Sequence, residues 1–139
     1  GVHLVNAAAE AKSWMATQQG DEWLLEELVR GRCEQATSLM LRGGDLISLV
    51  NTEYEYADEA YVWPHVKEVR AKRRHATSVP SDHLDLFLAI TRGYTGICNF
   101  NYKLDKTGGL RIFEVNTRIG ADMACDVPPR LLRAFLKKL

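Results

Sequence analysis

The chain has 139 residues, of which 46% are hydrophobic and 26% are charged, values that are ordinary for one soluble globular domain able to bury a core. Eighteen basic and eighteen acidic residues cancel, so the overall charge argues against a polyanionic partner unless a local patch binds it. The sequence has no apolar run long enough to cross a bilayer and no signal-peptide pattern, which argues against a membrane protein and a membrane partner.

The cysteines and the start of the chain bear on location. Cys33, Cys98 and Cys125 are odd in number and lack Cys-x-x-Cys spacing, which fits free thiols better than a disulfide framework or a zinc site. A reducing compartment is therefore favoured, and we expect a cytoplasmic protein. The chain begins at Gly1 without an initiator Met and at once in strand-like sequence, which suggests a segment of a longer chain.

The first part of the chain predicts a strand, a helix and a hairpin. Residues 2–5 have the pattern of a short strand, and Asn6 is a suitable N-cap for a helix that ends near Gly20. Strands over residues 34–42 and 46–52 are joined by Gly-Gly-Asp, a strong hairpin signal. The helix has an apolar stripe that we expect to pack in the core: Ala8, Ala11, Trp14 and Met15.

The middle and end of the chain predict two more helices around a second hairpin. Residues 53–80 have the weakest pattern, with an acidic loop, an aromatic strand candidate at 61–63 and a cation-rich stretch. A helix is predicted over about residues 82–92, residues 121–126 form a loop or one helical turn, and a last amphipathic helix follows the Pro-Pro pair at 128–129. These elements predict an α+β fold, an antiparallel β-sheet backed by helices, rather than a doubly wound parallel sheet.

The second hairpin has one polar strand face. Strands over residues 97–104 and 110–116 flank the turn sequence Asp-Lys-Thr-Gly. The first strand alternates Cys, Phe, Tyr and Leu on one side with Asn99, Asn101 and Lys103 on the other.

We predict a four-residue turn, which sets the register of this hairpin. Residues directly opposite each other in an antiparallel pair share a face. The four-residue turn places Asn101 opposite Ile112, and the same register places Asn99 opposite Glu114. A five-residue turn would separate the polar side chains. The predicted register gathers them on one surface: Asn99, Asn101, Glu114 and Asn116.

Glu114 and Asn116 share a strand face, roughly 6.5 Å apart along the backbone. Carboxylate and amide oxygens suit Mg²⁺, which takes one or two protein carboxylates and completes its shell with water and phosphate oxygens. Arg118, just beyond the strand end, adds a planar cation suited to phosphate or carboxylate. From these residues alone, the alternative is a buried strand that ends in a polar turn.

Three blocks of sequence, taken together and in order, resemble the ATP-grasp carboxylate ligases, in the subgroup of biotin carboxylases and carbamoyl-phosphate synthetases. The blocks are residues 24–34, 93–109 and 114–118. The resemblance implies the C-terminal half of an ATP-grasp fold, as a single partial domain over residues 1–139. Residues 1–30 would be the end of the first lobe and the adenine hinge, and residues 31–139 the second lobe.

The resemblance also implies ATP and Mg²⁺ as cofactors. Glu114 and Asn116 would hold the Mg²⁺ ions that bridge the ATP phosphates, and Asn99 occupies the place where the family usually has a Gln or acidic ligand. Since Asn is short and uncharged, Asn99 either binds a metal weakly or hydrogen-bonds to the residues that bind the metal. Asn101 has no clear counterpart, and Arg118 would contact the acyl phosphate or the acceptor carboxylate.

The hinge residues Glu26, Glu27 and Val29 would bind the nucleotide, with backbone groups of Glu26 and Val29 facing the adenine edge. Glu34 would accept hydrogen bonds from the ribose hydroxyls, because charge-assisted bonds of this kind are short and strong. The alternative for the two hinge carboxylates is a solvated strand edge.

The implied activity is an ATP- and Mg-dependent ligation, in which a carboxylate substrate forms an acyl phosphate that is transferred to an amine or thiol acceptor. The family has a phosphate-contacting Lys and a glycine-rich loop before the position that matches Gly1, so the missing N-terminal part of the same chain would be a partner. We expect little or no ligase turnover from the 139-residue polypeptide alone. Measurable turnover by the purified chain would contradict this.

A non-catalytic α+β module that binds a nucleotide or a nucleic acid is the alternative. Clustered cations bind phosphate through counterion release, and the chain has one such cluster: Lys67, Arg70, Lys72, Arg73 and Arg74. The cluster lacks interleaved aromatic residues and has an acidic flank. A solvated face is therefore favoured, and nucleic acid is not the expected partner.

Overall fold

The computed structural model describes residues 3–18, 23–62, 65–69 and 73–138. Predicted features at Gly1, Val2, Gly20, Trp63, Pro64, Arg70 and Lys72 lie outside these ranges. The elements in chain order are α1 (Ala8–Thr17), β1 (Cys33–Arg42), β2 (Asp45–Glu55), β3 (Arg74–Ala76), α2 (Ser81–Ile90), β4 (Gly96–Leu104), β5 (Leu110–Asn116), a π-helical turn (Asp122–Asp126) and α3 (Pro129–Leu136). The strands pair antiparallel in the order β3-β2-β1-β4-β5, which confirms the predicted α+β class.

α2 covers one face of the sheet with its apolar side chains. Phe87 of α2 stacks on Phe100 of β4 with ring centroids 4.4 Å apart, and both side chains are fully buried. Alternation along the strands supplies the rest of this layer: Leu39, Leu41, Leu49, Cys98 and Tyr102. Burial of each large apolar side chain stabilises the fold by about 2 kcal/mol, so this layer holds α2 against the sheet.

The opposite face of the sheet combines apolar clusters with buried polar groups. Met40 and Val50 lie at one end, where the π-helical turn and α3 cover them with three further buried side chains: Met123, Val127 and Phe135. Toward the other end, the polar groups of β4 and β5 lie beside a second buried apolar cluster, formed by Ala36, Tyr54 and Tyr56. Within the described ranges, no helix is long and apolar enough to span a membrane.

The loop between β4 and β5 is one residue longer than predicted. Residues 105–109 connect the strands, so Ile112 lies opposite Tyr102 and not opposite Asn101. Asp105 Oδ1 accepts hydrogen bonds from two backbone amides of the loop, at 2.8 and 2.9 Å, which favours this wider turn. The predicted four-residue turn is therefore wrong.

A β-bulge at Phe113 restores the shared polar face. Without it, Asn101 would lie opposite Phe113, but the extra residue shifts the pairing so that Asn101 lies opposite Glu114. Asn99 pairs with Asn116, not with Glu114 as predicted. The predicted pairs are wrong by two residues, and since two residues is one full strand period, all four polar side chains still share one face.

The N-terminal region differs most from the prediction. Residues 3–5 are not a strand, because no strand of the described sheet pairs with them and strand backbone groups need such partners. The helix begins only at Ala8, with Ala7 as its N-cap. Asn6 instead donates its backbone N–H to Glu10 Oε2 at 2.7 Å, so the predicted N-cap is wrong.

The apolar stripe of α1 is not a core face. Among its residues only Ala11 is buried, and Met15 is 47% exposed. Trp14 stacks on His3 and meets Trp23 edge to face, with ring centroids 5.1 and 4.7 Å away. An apolar period marks a helix face, but tertiary packing decides what covers that face.

Residues 73–76 form contacts that no local pattern predicted. Residues 74–76 make the short strand β3 on the edge of the sheet. Arg73 precedes it, with Nη1 2.6 Å from Asp126 Oδ1 and Nη2 2.6 Å from Glu68 Oε2. These charge-assisted contacts, one to a carboxylate five residues away and one to a carboxylate 53 residues away, hold a segment whose own pattern is weak.

Phe100→Ala should remove one ring of the stacked pair and leave a cavity in the layer beneath α2. We expect the free energy of unfolding to fall by about 3–5 kcal/mol, measured by urea denaturation followed by circular dichroism. Phe113→Ala is the matched control, because that side chain is 42% exposed on the bulge, and it should cost less than about 1 kcal/mol. Equal losses in the two variants would contradict the core position of Phe100.

Candidate functional site

The polar side chains of β4 point away from α2. Asn99, Asn101 and Lys103 alternate with the apolar residues that face the helix. Glu34 of β1 and Glu114 of β5 lie on the same face, as the register of the two neighbouring strands requires. We call these five residues the polar strip, with Glu34 and Lys103 at one end and Asn99 at the other.

At the Asn99 end, hydrogen bonds connect the strip to residues beneath it. Asn99 is buried, and its Nδ2 donates to Ser38 Oγ at 2.9 Å and to Asp122 Oδ1 at 3.1 Å. Asn101 Nδ2 donates to Asn99 Oδ1 at 3.0 Å and to Glu114 Oε2 at 3.1 Å. Asn101 is therefore the residue beside Glu114, and Asn99 hydrogen-bonds to Asn101.

At the other end, Lys103 connects the strip to the predicted hinge. Its buried Nζ donates to the Val29 carbonyl at 3.1 Å and lies 3.9 Å from the ring centroid of Tyr61. The Tyr61 hydroxyl donates to Glu34 Oε2 at 2.5 Å. Two predicted nucleotide-binding residues, Glu34 and Val29, are thus brought together through Lys103 and Tyr61.

Burial perturbs the charged groups at this end of the strip. Burial raises the pKa of Glu34, while the Tyr61 hydrogen bond and the Lys103 charge lower it and the charge of Glu114 raises it. Burial also lowers the pKa of Lys103, against the raising effect of Glu34. The repulsion between Glu34 and Glu114 is thus opposed by the positive charge of Lys103.

Asp122 is a buried carboxylate on this face of the sheet. It is 3% exposed, and its Oδ2 has no hydrogen-bond partner in the part of the chain that the structure describes. Burial raises the pKa of Asp122 to about 6, although nearby backbone amides lower it. The tight packing here requires a glycine, because a Cβ on Gly120 would lie 2.6 Å from Asn99 Cγ and clash with Asp122 Oδ1.

The other predicted site residues lie at the border of the strip or on the surface. Asn116 is half-buried at the end of β5, on the strip's face. Arg118 is exposed and donates through Nη1 to the Ile119 carbonyl at 3.3 Å. Glu26 and Glu27 are exposed in an irregular segment before β1. Across residues 3–18, 23–62, 65–69 and 73–138, no hydrogen bond joins the side chains of Arg118, Glu26 or Glu27 to the polar strip.

The oxygen donors of the strip suit a hard cation. No three His, Cys, Asp or Glu side chains among the described residues are grouped as a metal site. The strip and its border offer the Glu114 carboxylate with the amide oxygens of Asn101 and Asn116. One carboxylate completed by amide, water and phosphate oxygens is a donor set that fits Mg²⁺, so these residues fit the ion that the resemblance implies.

The sequence did not identify Lys103, Tyr61 and Asp122 as members of this site. The period-two pattern already put Lys103 on the face of Asn99 and Asn101, so that residue could have been found. Tyr61 is 27 positions from the carboxylate it contacts, and Asp122 is 23 positions from its amide partner. No local pattern predicts contacts of such range.

The fold and the strip together define the class: an α+β protein whose antiparallel sheet has one apolar face under a helix and an opposite face on which a partly buried polar strip lies among apolar clusters. Comparison of the chain with models of known protein families and with curated proteins finds no match. A function is therefore inferred from the chemistry of the polar strip.

Asp122→Asn should change how stability depends on pH. Since burial raises the pKa of Asp122 to about 6 from an ordinary 3.8, the folded protein holds a proton that the unfolded chain releases between these values. The contribution of Asp122 to the free energy of unfolding should therefore fall by roughly 2 kcal/mol as the pH rises from about 4.5 to about 7.5, so the wild type should lose about that much more stability than the variant. Denaturant unfolding at both pH values measures the difference.

Asp105→Asn is the control for this experiment. Hydrogen bonds from the Thr107 hydroxyl and the Gly109 amide hold the pKa of Asp105 at about 2, so it is ionised in both the folded and unfolded states above about pH 5. Its substitution should change stability by nearly the same amount at both pH values. A constant difference between the wild type and Asp122→Asn would contradict the raised pKa of Asp122.

Proposed function

We propose that this chain is the C-terminal half of an ATP-grasp carboxylate ligase and binds ATP with Mg²⁺. The main support is the polar strip, in which Glu114 and Asn101 lie on the same sheet face as Glu34 and as Lys103, which contacts the Val29 carbonyl. Groups that suit a base and ribose stand at one end, and oxygen donors that suit a metal stand at the other. One nucleotide laid along the strip would contact both.

The hinge end would bind the nucleoside. The Tyr61 hydroxyl already donates a hydrogen bond to Glu34 Oε2, so the other carboxylate oxygen, Oε1, would accept hydrogen bonds from the ribose hydroxyls. The Val29 carbonyl already accepts a hydrogen bond from Lys103, so Val29 would donate its backbone N–H to the adenine edge. Glu26, from its backbone, and the neighbouring Glu27 would complete the hinge.

The other end would bind the phosphates. Glu114 and Asn116 would hold Mg²⁺, with Asn101 beside them and Asn99 supporting Asn101. Bound there, Mg²⁺ would neutralise charge on the triphosphate. Arg118 would contact the acyl phosphate or the acceptor carboxylate through its planar guanidinium.

In the proposed reaction, a substrate carboxylate attacks the γ-phosphate of ATP in line and forms an acyl phosphate with release of ADP. An amine or thiol then attacks the acyl carbon and displaces phosphate. A phosphate-contacting Lys and a glycine-rich loop would come from an N-terminal part of the same protein. A cytoplasmic location belongs to the same proposal, and the three free cysteines agree with it.

A nucleic-acid interface receives little support from the cation-rich stretch. Arg73 is held by Glu68 and Asp126, and Arg74 lies 3.4 Å from Glu53 Oε1. These two cations are already paired within the protein. A nucleotide-binding module without catalysis would use the same polar strip, and it would differ from the ligase by the absence of turnover in the full protein.

Glu114→Gln should weaken Mn²⁺-dependent ATP binding by about tenfold or more, because it removes the negative charge of the carboxylate while keeping an oxygen that accepts from Asn101. Isothermal titration calorimetry of the chain with ATP, with and without Mn²⁺, measures this loss. The weak binding that remains without metal should be unchanged in the variant.

Asp85→Asn is the matched control, since it also removes one negative charge but lies exposed on α2, behind the opposite face of the sheet. Its affinity for ATP with Mn²⁺ should equal that of the wild type. If Glu114→Gln and Asp85→Asn bind equally well, Glu114 is not at a metal site and the proposal fails.

A further inference from the structure

A directional series of hydrogen bonds connects Asp122 to Glu114 beneath the candidate site. Asn99 directs its NH₂ group to Asp122 Oδ1 and its Oδ1 to Asn101. Asn101 directs its NH₂ group both to Asn99 Oδ1 and to Glu114 Oε2. The series thus begins and ends at a carboxylate, and Asn101 Oδ1 takes no part in it.

The two carboxylates determine which way each amide is turned. An ionised carboxylate only accepts hydrogen bonds, whereas an amide donates at one end and accepts at the other. If Asn99 turned over, its oxygen would face Asp122 Oδ1 and its NH₂ group would face the NH₂ group of Asn101. Ser38 opposes this as well, because its hydroxyl is hydrogen-bonded to Asp122 and can therefore only accept from Asn99. Asp122 therefore selects the orientation of Asn99 from the buried end, directly and through Ser38, and Glu114 holds Asn101 in the matching orientation from the other end.

Burial makes this selection strong. Asp122, Asn99 and Ser38 are 3%, 2% and 0% exposed, so water does not compete for their hydrogen bonds. The packing of Gly120 against both Asn99 and Asp122 keeps these side chains in contact. An unfavourable amide orientation here would leave buried polar atoms without partners, which is more costly than the loss of an exposed hydrogen bond.

We propose that Asp122 is a positioning residue, which accepts a hydrogen bond from Asn99 and thereby orients the amides of Asn99 and Asn101 so that Asn101 Oδ1 is free to bind a divalent cation beside Glu114. This inference rests on the proposed function, which supplies the cation. It adds a residue that touches neither the metal nor the nucleotide and acts through two amides.

The test compares three variants of the same chain. Asp122→Ala removes the acceptor, Asp122→Asn keeps an oxygen that can accept from Asn99, and Asp126→Ala removes a carboxylate of the same π-helical turn that binds Tyr54 and Arg73 instead. Thermal unfolding establishes that each variant folds. If Asp122→Ala does not fold, Asp122→Leu replaces it, because Leu restores the volume without an acceptor.

Two measurements are made on each variant. The first is the affinity for Mn²⁺ alone, which we expect to fall about tenfold or more in Asp122→Ala and to stay within about threefold of the wild type in Asp122→Asn and Asp126→Ala. The second is the NMR signal of the side-chain NH₂ groups of Asn99 and Asn101. Of the three variants, only Asp122→Ala should speed up the hydrogen exchange of both NH₂ groups. Their chemical shifts should also move toward the values of exposed amides.

The outcomes separate this inference from the proposed function. If the Asn101 signals and the Mn²⁺ affinity of Asp122→Ala match those of Asp126→Ala, the positioning role is overturned. If the wild type does not bind Mn²⁺, or if Glu114→Gln does not weaken that binding, the proposed function fails. In that case the NH₂ signals alone decide whether Asp122 orients the two amides.

Discussion

The pairing of β4 with β5 determines which side chains reach the polar strip. A five-residue loop alone would set Phe113 opposite Asn101 and would turn Glu114 toward the side of α2. One extra residue in β5 reverses this assignment. The bulge lies in an edge strand, where it disturbs the ladder on one side only. Loop length and bulge therefore act together, and a change in one preserves the strip only if the other changes with it.

Charged groups on this face are buried at a cost to stability. Lys103 and Asp122 are almost as inaccessible as the aromatic core, and burying a charge is unfavourable unless partners replace its water. The Val29 carbonyl and the Tyr61 ring partly replace it for Lys103, and the raised pKa of Asp122 shows that its compensation is incomplete. Apolar packing beneath α2 and in the clusters beside the polar strip offsets this cost, so the polar strip lies on a face that also contributes to stability.

The parts of the fold that the sequence predicted are those with a short repeat. Alternation along residues 97–104 predicted both faces of β4, and the Gly-Gly-Asp signal predicted the hairpin of β1 and β2. The same alternation gathered the polar side chains of β4 and β5 correctly, even though the turn was one residue too short. A tight turn pattern does not reveal that an Asp side chain will bind two loop amides, nor that a bulge will follow.

What the sequence could not predict depends on contacts between distant segments. Three such contacts join residues that no local period relates: Arg73 with Asp126, Asn99 with Asp122, and Lys103 with the Val29 carbonyl. The apolar stripe of α1 is the opposite case. Its period correctly predicted a helix, but few of the described residues pack against the stripe. Local patterns fix element type and face, and only tertiary structure decides which faces meet.

The bulge at Phe113 also bears on self-association. β5 has the sequence Leu-Arg-Ile-Phe-Glu-Val-Asn, rich in strand-forming residues, and Phe113 and Val115 are 42% and 40% exposed. A straight edge of this composition would be a ready template for a strand from another molecule, the first step of amyloid-like growth. The bulge interrupts the regular row of free backbone groups. Burying the charges of Arg111 and Glu114 in a contact without water would also be unfavourable. The irregularity that aligns the polar strip thus also protects the protein from aggregation through this edge.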